Sequence, residues 1–341
     1  MVRTNDGDDR AGAAILSGLP SRLVVVVAAL AALIISPVDA MAQSFPSRQL
    51  RIVVPYPAGG PTDALARIVA AELQADLKQT VIVENKPGAS GAIGSREVAR
   101  SDPDGHTLVL GTNQTHVTNA VLLKEPGYRP LEDFVPVAGL AGLQHALVVP
   151  KNAVKTVAEL VSKAKAAPSA LNCGSSGVGS ASHLALELFQ SRTGTRTTHV
   201  AFRGAAPMAI EIVAGRIDCA FATLPSVLGQ IEGGEMVALA LASPQRAPQL
   251  PSLGLLSEAG VPDSDADAWL ALFAPRATPA AIVGHLSKSV TEGLRRPPVS
   301  AAAAKLGMAV TIRDSAEFAT YLLAENRKWL DVVRLAGVKP E

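Results

Sequence analysis

The feature that most constrains this fold is a repeated order of short apolar run, glycine-rich loop and amphipathic helix. Residues 50–55 read LRIVVP, a loop of Pro and Gly follows, and apolar residues at helical spacing begin after Thr62. The order recurs with a strand at 81–84 and a helix at 93–100, and a third strand is expected at 107–111. Strands that alternate with helices in this way predict α/β units with a mainly parallel sheet.

A second series of the same kind follows in the other half of the chain. Helices are expected near 157–166, 183–193 and 207–214, and three more near 280–295, 300–306 and 316–335. The strands are expected at 146–150, 170–173, 198–202, 217–222, 237–242 and 269–275. Two α/β lobes are the architecture that this order predicts.

The N-terminus contains one apolar block of a different kind. Leu23–Ile35 is uninterrupted by polar residues but is too short to span a bilayer, which needs about 20 residues. Ala40-Met41-Ala42 provides a small-x-small cleavage site, so residues 1–42 are predicted to be a signal peptide cleaved near Ala42. The segment before the block is long and acidic for a signal peptide, which leaves the true start codon and an uncleaved anchor open.

Charge and motif content exclude several classes of protein. The formal net charge is +1, whereas a dedicated nucleic-acid binder carries a basic face. The six histidines show no metal-ligand spacing, and no phosphate-binding glycine motif occurs, so neither a metal nor a cofactor is expected. Cys173 and Cys219 each end an apolar run, where buried thiols are common. Separate thiols are the favoured interpretation, and a disulfide stays open because sequence does not report the distance between the cysteines.

Two glycine-rich loops carry the strongest functional signal. The first glycine-rich loop is Tyr56–Asp63 and the second is Gly174–His183, and each follows a strand and precedes a helix. Glycines allow a ligand to approach backbone N–H groups, and a helix N-terminus favours an anion. Many such turns contain glycine for geometry alone, but two in separate halves of the chain predict two anion-binding loops that face each other. A carboxylate or dicarboxylate suits that arrangement.

A secreted Ser/His hydrolase is the rival hypothesis. Ser175 or Ser176 would act as nucleophile with His183 or His199 as base. The segment Gly174–Val178 does not match the G-x-S-x-G motif of such enzymes, because Val178 stands where the motif requires a glycine. An enzyme of this kind needs a serine Oγ within about 3 Å of a histidine nitrogen, which a structure can test.

Asp63 and three aromatic residues are further candidates for the ligand site, and most of them also have an ordinary structural role. Asp63 either stabilises the start of its helix or receives the ammonium group of an amino-acid ligand. Tyr56, Phe202 and Phe221 stand near loop ends and are candidate walls of a pocket, although core packing is the ordinary role of the two phenylalanines.

Several segments, taken in order, resemble a known family. They are RIVVPYPAGGPTDALARIVAAEL, VIVENKPGASGAIGSREVARSDPDGHTLVLG, NCGSSGVGSASHLALELF, HVAFRGAAPMAIEIVAGRIDCAFATLPS, LPSLGLLSEAGVP and AWLALFAPRATPAAI. Together they resemble the Bug-type extracytoplasmic solute receptors of tripartite tricarboxylate transport systems. The resemblance covers essentially all of the chain after residue 42.

The resemblance implies a type II periplasmic-binding-protein fold, with two α/β lobes joined by crossover strands. Residues 43–144 and 267–341 would form lobe 1, and residues 145–266 lobe 2. It implies a non-enzymatic periplasmic receptor, a monomer, whose partners are a small carboxylate or amino-acid ligand and membrane permease subunits or a sensor. The predicted ligand-binding residues are Tyr56, Ala58, Gly59, Gly60, Thr62, Asp63, Thr112, Asn113, Ser175, Ser176, Gly177, Gly179, Ser180, His183, Phe202 and Phe221.

Overall fold

The computed structural model describes residues 45–338, so the predicted signal peptide lies outside the described residues. The strands are β1 Leu50–Val54, β2 Val81–Asn85, β3 Thr107–Thr112, β4 Phe134–Leu143, β5 His145–Pro150, β6 Asn172–Ser175, β7 Thr198–Ala201, β8 Cys219–Thr223, β9 Met236–Leu241, β10 Ala268–Pro275 and β11 Ala309–Arg313. The helices are α1 Pro61–Leu77, α2 Ala92–Ala99, α3 Asn119–Leu122, α4 Val157–Ala166, α5 Ala181–Thr193, α6 Ala205–Val213, α7 Leu224–Glu232, α8 Ala280–Arg295, α9 Pro297–Lys305 and α10 Ser315–Ala336.

Two separate sheets organise these elements. The first has six strands in the order β11-β4-β10-β3-β1-β2, and the second has five in the order β7-β6-β8-β5-β9. We call each sheet, with the helices packed on it, a lobe. The chain passes to the second sheet at Gln144, between β4 and β5, and returns between β9 and β10. The first passage is thus a direct step from β4 to β5, whereas the return runs through residues 242–267 before β10 begins.

The expectation of a mainly parallel sheet is wrong, because both sheets are mixed. β1 pairs parallel with β2 and β3, and β6 pairs parallel with β7 and β8. β10 returns from the second lobe and inserts between β3 and β4, antiparallel to both, and β5 runs antiparallel to β8 and β9. The strands that connect the lobes run against their neighbours, whereas the βαβ units keep the parallel direction that their crossover helices impose.

Cys173 and Cys219 form a disulfide, which corrects the favoured interpretation of two separate thiols. β6 and β8 are adjacent parallel strands, and their register places the two cysteines directly opposite each other with Cα atoms 4.6 Å apart. That separation lies in the ordinary range for a disulfide. The pairing was invisible in the sequence because 46 residues separate the cysteines and only the strand order brings them together.

One apolar core extends from the first lobe into the second. It contains β1, β3 and β10 residues together with Leu147, Cys173 and Phe221 of the second sheet. A smaller cluster lies on the other face of the second sheet around Met208 and Val227. Helix α10 packs on β4 and also contacts α5 of the second lobe. Among the described residues, every helix is too short or too polar to cross a membrane.

Candidate functional site

Asp63 fixes the shape of the first glycine-rich loop. Its carboxylate accepts hydrogen bonds from the Gly59 N–H at 3.1 Å, from Arg67 at 3.0 Å and from Asn85 Nδ2 at 3.1 Å. Burial alone would raise the pKa of Asp63, but these donors lower it below its ordinary value. Gly59 has φ +83°, a conformation that favours glycine, so the loop turns sharply into α1.

The same loop leaves several backbone donors unused. Helix α1 begins after Gly60 without a side-chain cap and has Pro61 in its first turn. Within residues 45–338, the N–H groups of Gly60, Thr62 and Asp63 have no hydrogen-bond acceptor. Unpaired donors at a helix N-terminus form a site that favours an anion.

The second glycine-rich loop is bonded mostly to itself. The Ser176 N–H donates to Ser182 Oγ at 2.9 Å, the Gly177 N–H to Ser175 Oγ at 3.2 Å and the Gly179 N–H to His183 Nδ1 at 3.1 Å. Ser180 caps α5 by accepting from the His183 N–H at 3.2 Å. These bonds occupy backbone N–H groups that were expected to bind a ligand, so the two loops are not equivalent.

Two adjoining cavities lie between the lobes, at the ends of both loops. The inner cavity has a volume of about 90 Å³ and the outer about 520 Å³. Both are lined by residues from each sheet's loops, and six residues line both: Tyr56, Pro57, Gln114, Ser176, Arg203 and Gly204. A cleft between two α/β lobes is a common position for a small-molecule site.

The structure brings ten of the predicted residues to these cavities. They are Tyr56, Ala58, Gly60, Thr62, Thr112, Asn113, Ser176 and Ser180 in the inner cavity, with Gly177 and Phe202 in the outer one. Six others lie outside both linings: Gly59, Asp63, Ser175, Gly179, His183 and Phe221. Phe221 is fully buried in the core beside Phe189, with ring centroids 5.8 Å apart, because its position on β8 faces the apolar layer.

Among the lining residues that the sequence did not predict, three carry side chains that matter for the chemistry of the site. Gln114 directly follows the predicted Asn113, and Arg203 directly follows the predicted Phe202, so both were within one residue of a prediction. His145 begins β5 at the passage between the lobes and lines the inner cavity. Its apolar neighbours made it resemble an ordinary strand residue, and only the place of β5 in the second sheet, directly after the passage at Gln144, brings it to the cavity.

A chain of polar contacts joins the inner cavity to the second lobe. The Tyr56 hydroxyl lies 2.8 Å from Thr112 Oγ1 and donates to Gln114 Oε1 at 3.0 Å. Gln114 Nε2 in turn donates to the Val178 carbonyl at 2.7 Å, across the cleft. Thr118 makes a parallel bond to the Gly179 carbonyl at 2.8 Å. The second loop therefore offers its carbonyl groups to the first lobe, which holds the lobes together.

Arg203 is the one cationic group among the residues that line the cavities. It is exposed at the junction of the inner and outer cavities, and no Asp or Glu lines either of them. Burial raises the pKa of Tyr56, so its phenol is neutral at pH 7. Among described residues, no cluster of His, Cys, Asp and Glu suits a metal ion. The lining is thus weakly positive and rich in neutral donors.

One serine and one histidine lie close enough for the predicted nucleophile–base pair of a hydrolase, but they do not form an accessible active site. Ser175 Oγ lies 2.7 Å from His199 Nε2, and the ring of His183 stacks on that of His199 with centroids 3.9 Å apart. Ser175 is fully buried and lies outside both cavities, so no substrate reaches its hydroxyl. Burial lowers the pKa of His199 to about 4. The hydrolase alternative is not supported, and the pair is a structural hydrogen bond beneath the second loop.

Two α/β lobes that the chain connects twice, with a cleft between them lined by residues of both, define a two-lobed binding protein. Residues 65–338 match the model of the tripartite tricarboxylate transporter family receptor. The chain therefore belongs to that family of solute receptors, and its fold is the type II periplasmic-binding-protein fold that the family resemblance implied.

Individual relatives agree with this assignment. Protein BugT of Bordetella pertussis is 33% identical over 300 residues, which cover 87% of this chain and 92% of that protein. An R. palustris protein solved with adipate has a TM-score of 0.84 and 35% identity, over 87% of this chain and all of that one. MatC of Rhodopseudomonas palustris, solved with bound malate, has a TM-score of 0.80 and 33% identity, over 85% of this chain and all of that one. A structure described as the periplasmic binding protein BugD also matches, with a TM-score of 0.81 and 29% identity over 87% of this chain and all of that one.

Proposed function

We propose that this receptor captures a small dicarboxylate in the cleft between its lobes, and that it does so without catalysing a reaction. The observation that carries the proposal is the pairing of open donors in the first glycine-rich loop with Arg203 on the opposite side of the cleft. The free N–H groups of Gly60 and Thr62 and the guanidinium of Arg203 supply two separate anion contacts. One carboxylate would occupy the helix N-terminus and the other would lie near the guanidinium.

The relatives support the same ligand class. One similar protein was solved with adipate and another with malate, both dicarboxylates. The absence of acidic side chains from the lining of both cavities favours an anion over a cation. The volume of the inner cavity, about 90 Å³, favours a short ligand whose far end reaches the junction with the outer cavity.

Capture would proceed by closure of the lobes. The ligand completes its hydrogen bonds only when both lobes contact it, so it shifts the population towards the closed form. The bonds from Gln114 and Thr118 to the second loop would stabilise that form. We propose that the closed receptor, a monomer exported to the periplasm after removal of residues 1–42, delivers its ligand to the membrane subunits of a tripartite tricarboxylate-type transporter or to a sensor.

Calorimetric titration of the purified protein with C4 to C6 dicarboxylates tests the proposal. We expect saturable binding with one site, and Arg203→Gln should weaken it at least tenfold because a charge-assisted contact is lost. Arg196→Gln is the matched control, since Arg196 is exposed on the same lobe but lines neither cavity. Absence of binding to every dicarboxylate would contradict the proposed ligand class, and equal affinities for the two variants would contradict the role of Arg203.

A further inference from the structure

Three side chains of the first lobe donate hydrogen bonds to neighbouring backbone carbonyls of the second loop. Gln114 Nε2 and Ser90 Oγ both donate to the Val178 carbonyl, at 2.7 Å and 3.2 Å. Thr118 Oγ1 donates to the next carbonyl, that of Gly179, at 2.8 Å. Gln114 and Thr118 are the buried ends of one π-helical turn, whereas Ser90 comes from a separate loop that lines the outer cavity. Ser90 therefore gives the lobes an independent point of attachment at the cavity wall.

The loop that carries Ser90 has a strained backbone. We call residues Gly88–Gly91 the Ser90 loop. All four of them have positive φ, and two of the four, Ala89 at +45° and Ser90 at +53°, are not glycine. Residues with a side chain disfavour this left-handed region, and those that adopt it are held there by their surroundings and cluster at functional sites. A strained serine whose hydroxyl bonds across the cleft points to a function of that hydroxyl.

A buried polar network holds Ser90 in this conformation. Asn119 Nδ2 donates to the Ser90 carbonyl at 3.0 Å and to the Tyr128 hydroxyl at 3.1 Å. The Tyr128 hydroxyl donates in turn to the Thr115 carbonyl at 2.6 Å. Asn119, Tyr128 and Thr115 are all buried, so water does not compete for these bonds. Asn119 directly follows the π-helical turn that provides the other two donors, so one segment of the chain fixes all three contacts with the second loop.

We infer that Ser90 acts as a latch between the lobes, and that its hydroxyl slows the release of the ligand. The inference rests on the proposed function, in which the ligand leaves when the lobes separate. Separation must break the bond from Ser90 to Val178, so this bond adds to the barrier for release. The bond has no part in the first encounter with a ligand, when the lobes are apart. Ser90 should therefore change the dissociation rate and leave the association rate as it is.

Two fluorophores follow the distance between the lobes. The native cysteines are joined in the buried disulfide, so the labels attach to cysteines added at exposed positions. Asp76→Cys on α1 and Lys165→Cys on α4 place one label on each lobe. Energy transfer between the labels reports opening of the cleft, in the ligand-free protein and during release of succinate or adipate in a stopped-flow experiment.

Ser90→Ala and Ser90→Gly, each in the labelled protein, test the latch. Both lack the hydroxyl, but alanine keeps the strained φ whereas glycine relieves it, so the glycine variant should be the more stable of the two. We expect each to raise the dissociation rate by about threefold to tenfold, as the loss of one hydrogen bond would, with an unchanged association rate. Ser101→Ala is the matched control, because Ser101 Oγ donates to the Glu97 carbonyl at 3.0 Å within the first lobe. It should release the ligand at the normal rate.

Each outcome decides the latch separately from the proposed function. Unchanged dissociation rates in both Ser90 variants overturn the latch but leave the dicarboxylate receptor intact. Faster release from Ser90→Ala alone assigns the effect to the conformation of the loop, and a factor that differs between succinate and adipate assigns Ser90 to a ligand contact. Either result overturns the latch. If no dicarboxylate binds, the proposed function falls, and the ligand-free protein then decides: both variants should shift the label distance towards separated lobes, and an unchanged distance overturns the latch.

Discussion

The two glycine-rich loops occupy equivalent places in their lobes, yet they use their polar groups in opposite ways. In the first loop the side chain of Asp63 holds the turn, and the donors of Gly60, Thr62 and Asp63 stay open. In the second loop serine hydroxyls and His183 take up the backbone donors, and the loop presents carbonyl groups to the other lobe.

This difference separates two tasks that the sequence makes look alike. The first loop has the open donors that an anion requires, whereas the second loop is internally bonded and accepts hydrogen bonds from the first lobe. A glycine-rich sequence before a helix is therefore not enough to define an anion site. What decides is whether side chains of the same loop have already satisfied its N–H groups.

The largest expected effect comes from removing Asp63. Asp63→Ala leaves the Gly59 N–H, Arg67 and Asn85 without their common acceptor, and should lower the free energy of unfolding by about 2–3 kcal/mol. Urea unfolding measures it. Asp133→Ala is the matched control, because Asp133 pairs with Arg129 at the same spacing but on the surface, and should cost less than about 1 kcal/mol. Equal costs would show that the first loop does not depend on its acid.

The same contact predicts a pH dependence. The pKa of Asp63 is lowered in the folded protein, so its contribution to stability is present above the ordinary aspartate pKa of about 3.9 and is lost as the pH falls through the folded value. Asp63→Asn should therefore be less stable than the unaltered protein at pH 7, and the difference should shrink below pH 4. A difference that does not change with pH would mean that the carboxylate is not the acceptor described here.

A smaller effect is expected from the cap of the second loop. Ser180→Ala removes the acceptor for the His183 N–H and the donor to the Gly177 carbonyl, and should lower the free energy of unfolding by about 1–2 kcal/mol. Thr156→Ala removes the cap of α4, far from the cleft, and serves as control at about 1 kcal/mol. A smaller loss for Ser180→Ala than for Thr156→Ala would contradict the picture of a self-bonded second loop.

A substitution that makes the first loop resemble the second should have the smallest effect on stability, and it is the sharpest test of the comparison. Gly60 has φ −84°, and the nearest atom to an added Cβ is the Pro57 oxygen at 3.8 Å, so a side chain fits there. Gly60→Ser adds a hydroxyl that accepts from the free N–H groups in the first turn of α1, and should stabilise the protein by about 0.3 kcal/mol while weakening dicarboxylate binding several-fold. Gly60→Ala, without the hydroxyl, should bind normally. Unchanged affinity in Gly60→Ser would mean that the open donors do not hold the ligand.

The strands and helices of the βαβ units were predicted well, because the spacing of apolar residues within each segment is enough to identify it. The first strand was expected at 50–55 and occurs at Leu50–Val54, and the helix expected at 157–166 is Val157–Ala166. β4 and β11 were not expected. β4 contains Pro136 and two glycines, which interrupt the apolar alternation, and the structure keeps it as a strand because β10 and β11 pair with it on both sides.

The site was predictable only where one chain segment defines it. Glycines and a helix start located the first loop, and the family resemblance added Thr112 and Asn113 at the end of β3. His145 and the Cys173–Cys219 disulfide depend on which strands become neighbours, which the sequence of one strand does not contain. The internal hydrogen bonds of the second loop involve four serine hydroxyls, each of which could pair with several groups. Only the folded arrangement of the loop determines which pairs form.

Helix α10 gives the lobes a further physical link besides the two chain passages and the hydrogen bonds from Gln114 and Thr118. It lies on β4 of the first sheet and also contacts α5, the helix that starts at the second loop. When the lobes separate, that contact must slide or break, so the amplitude of opening is limited by how far two packed helices can move past each other. The separation of the lobes is thus restrained by the contact between α10 and α5 as well as by the connecting segments. The rate of ligand entry would then depend on a surface far from the ligand.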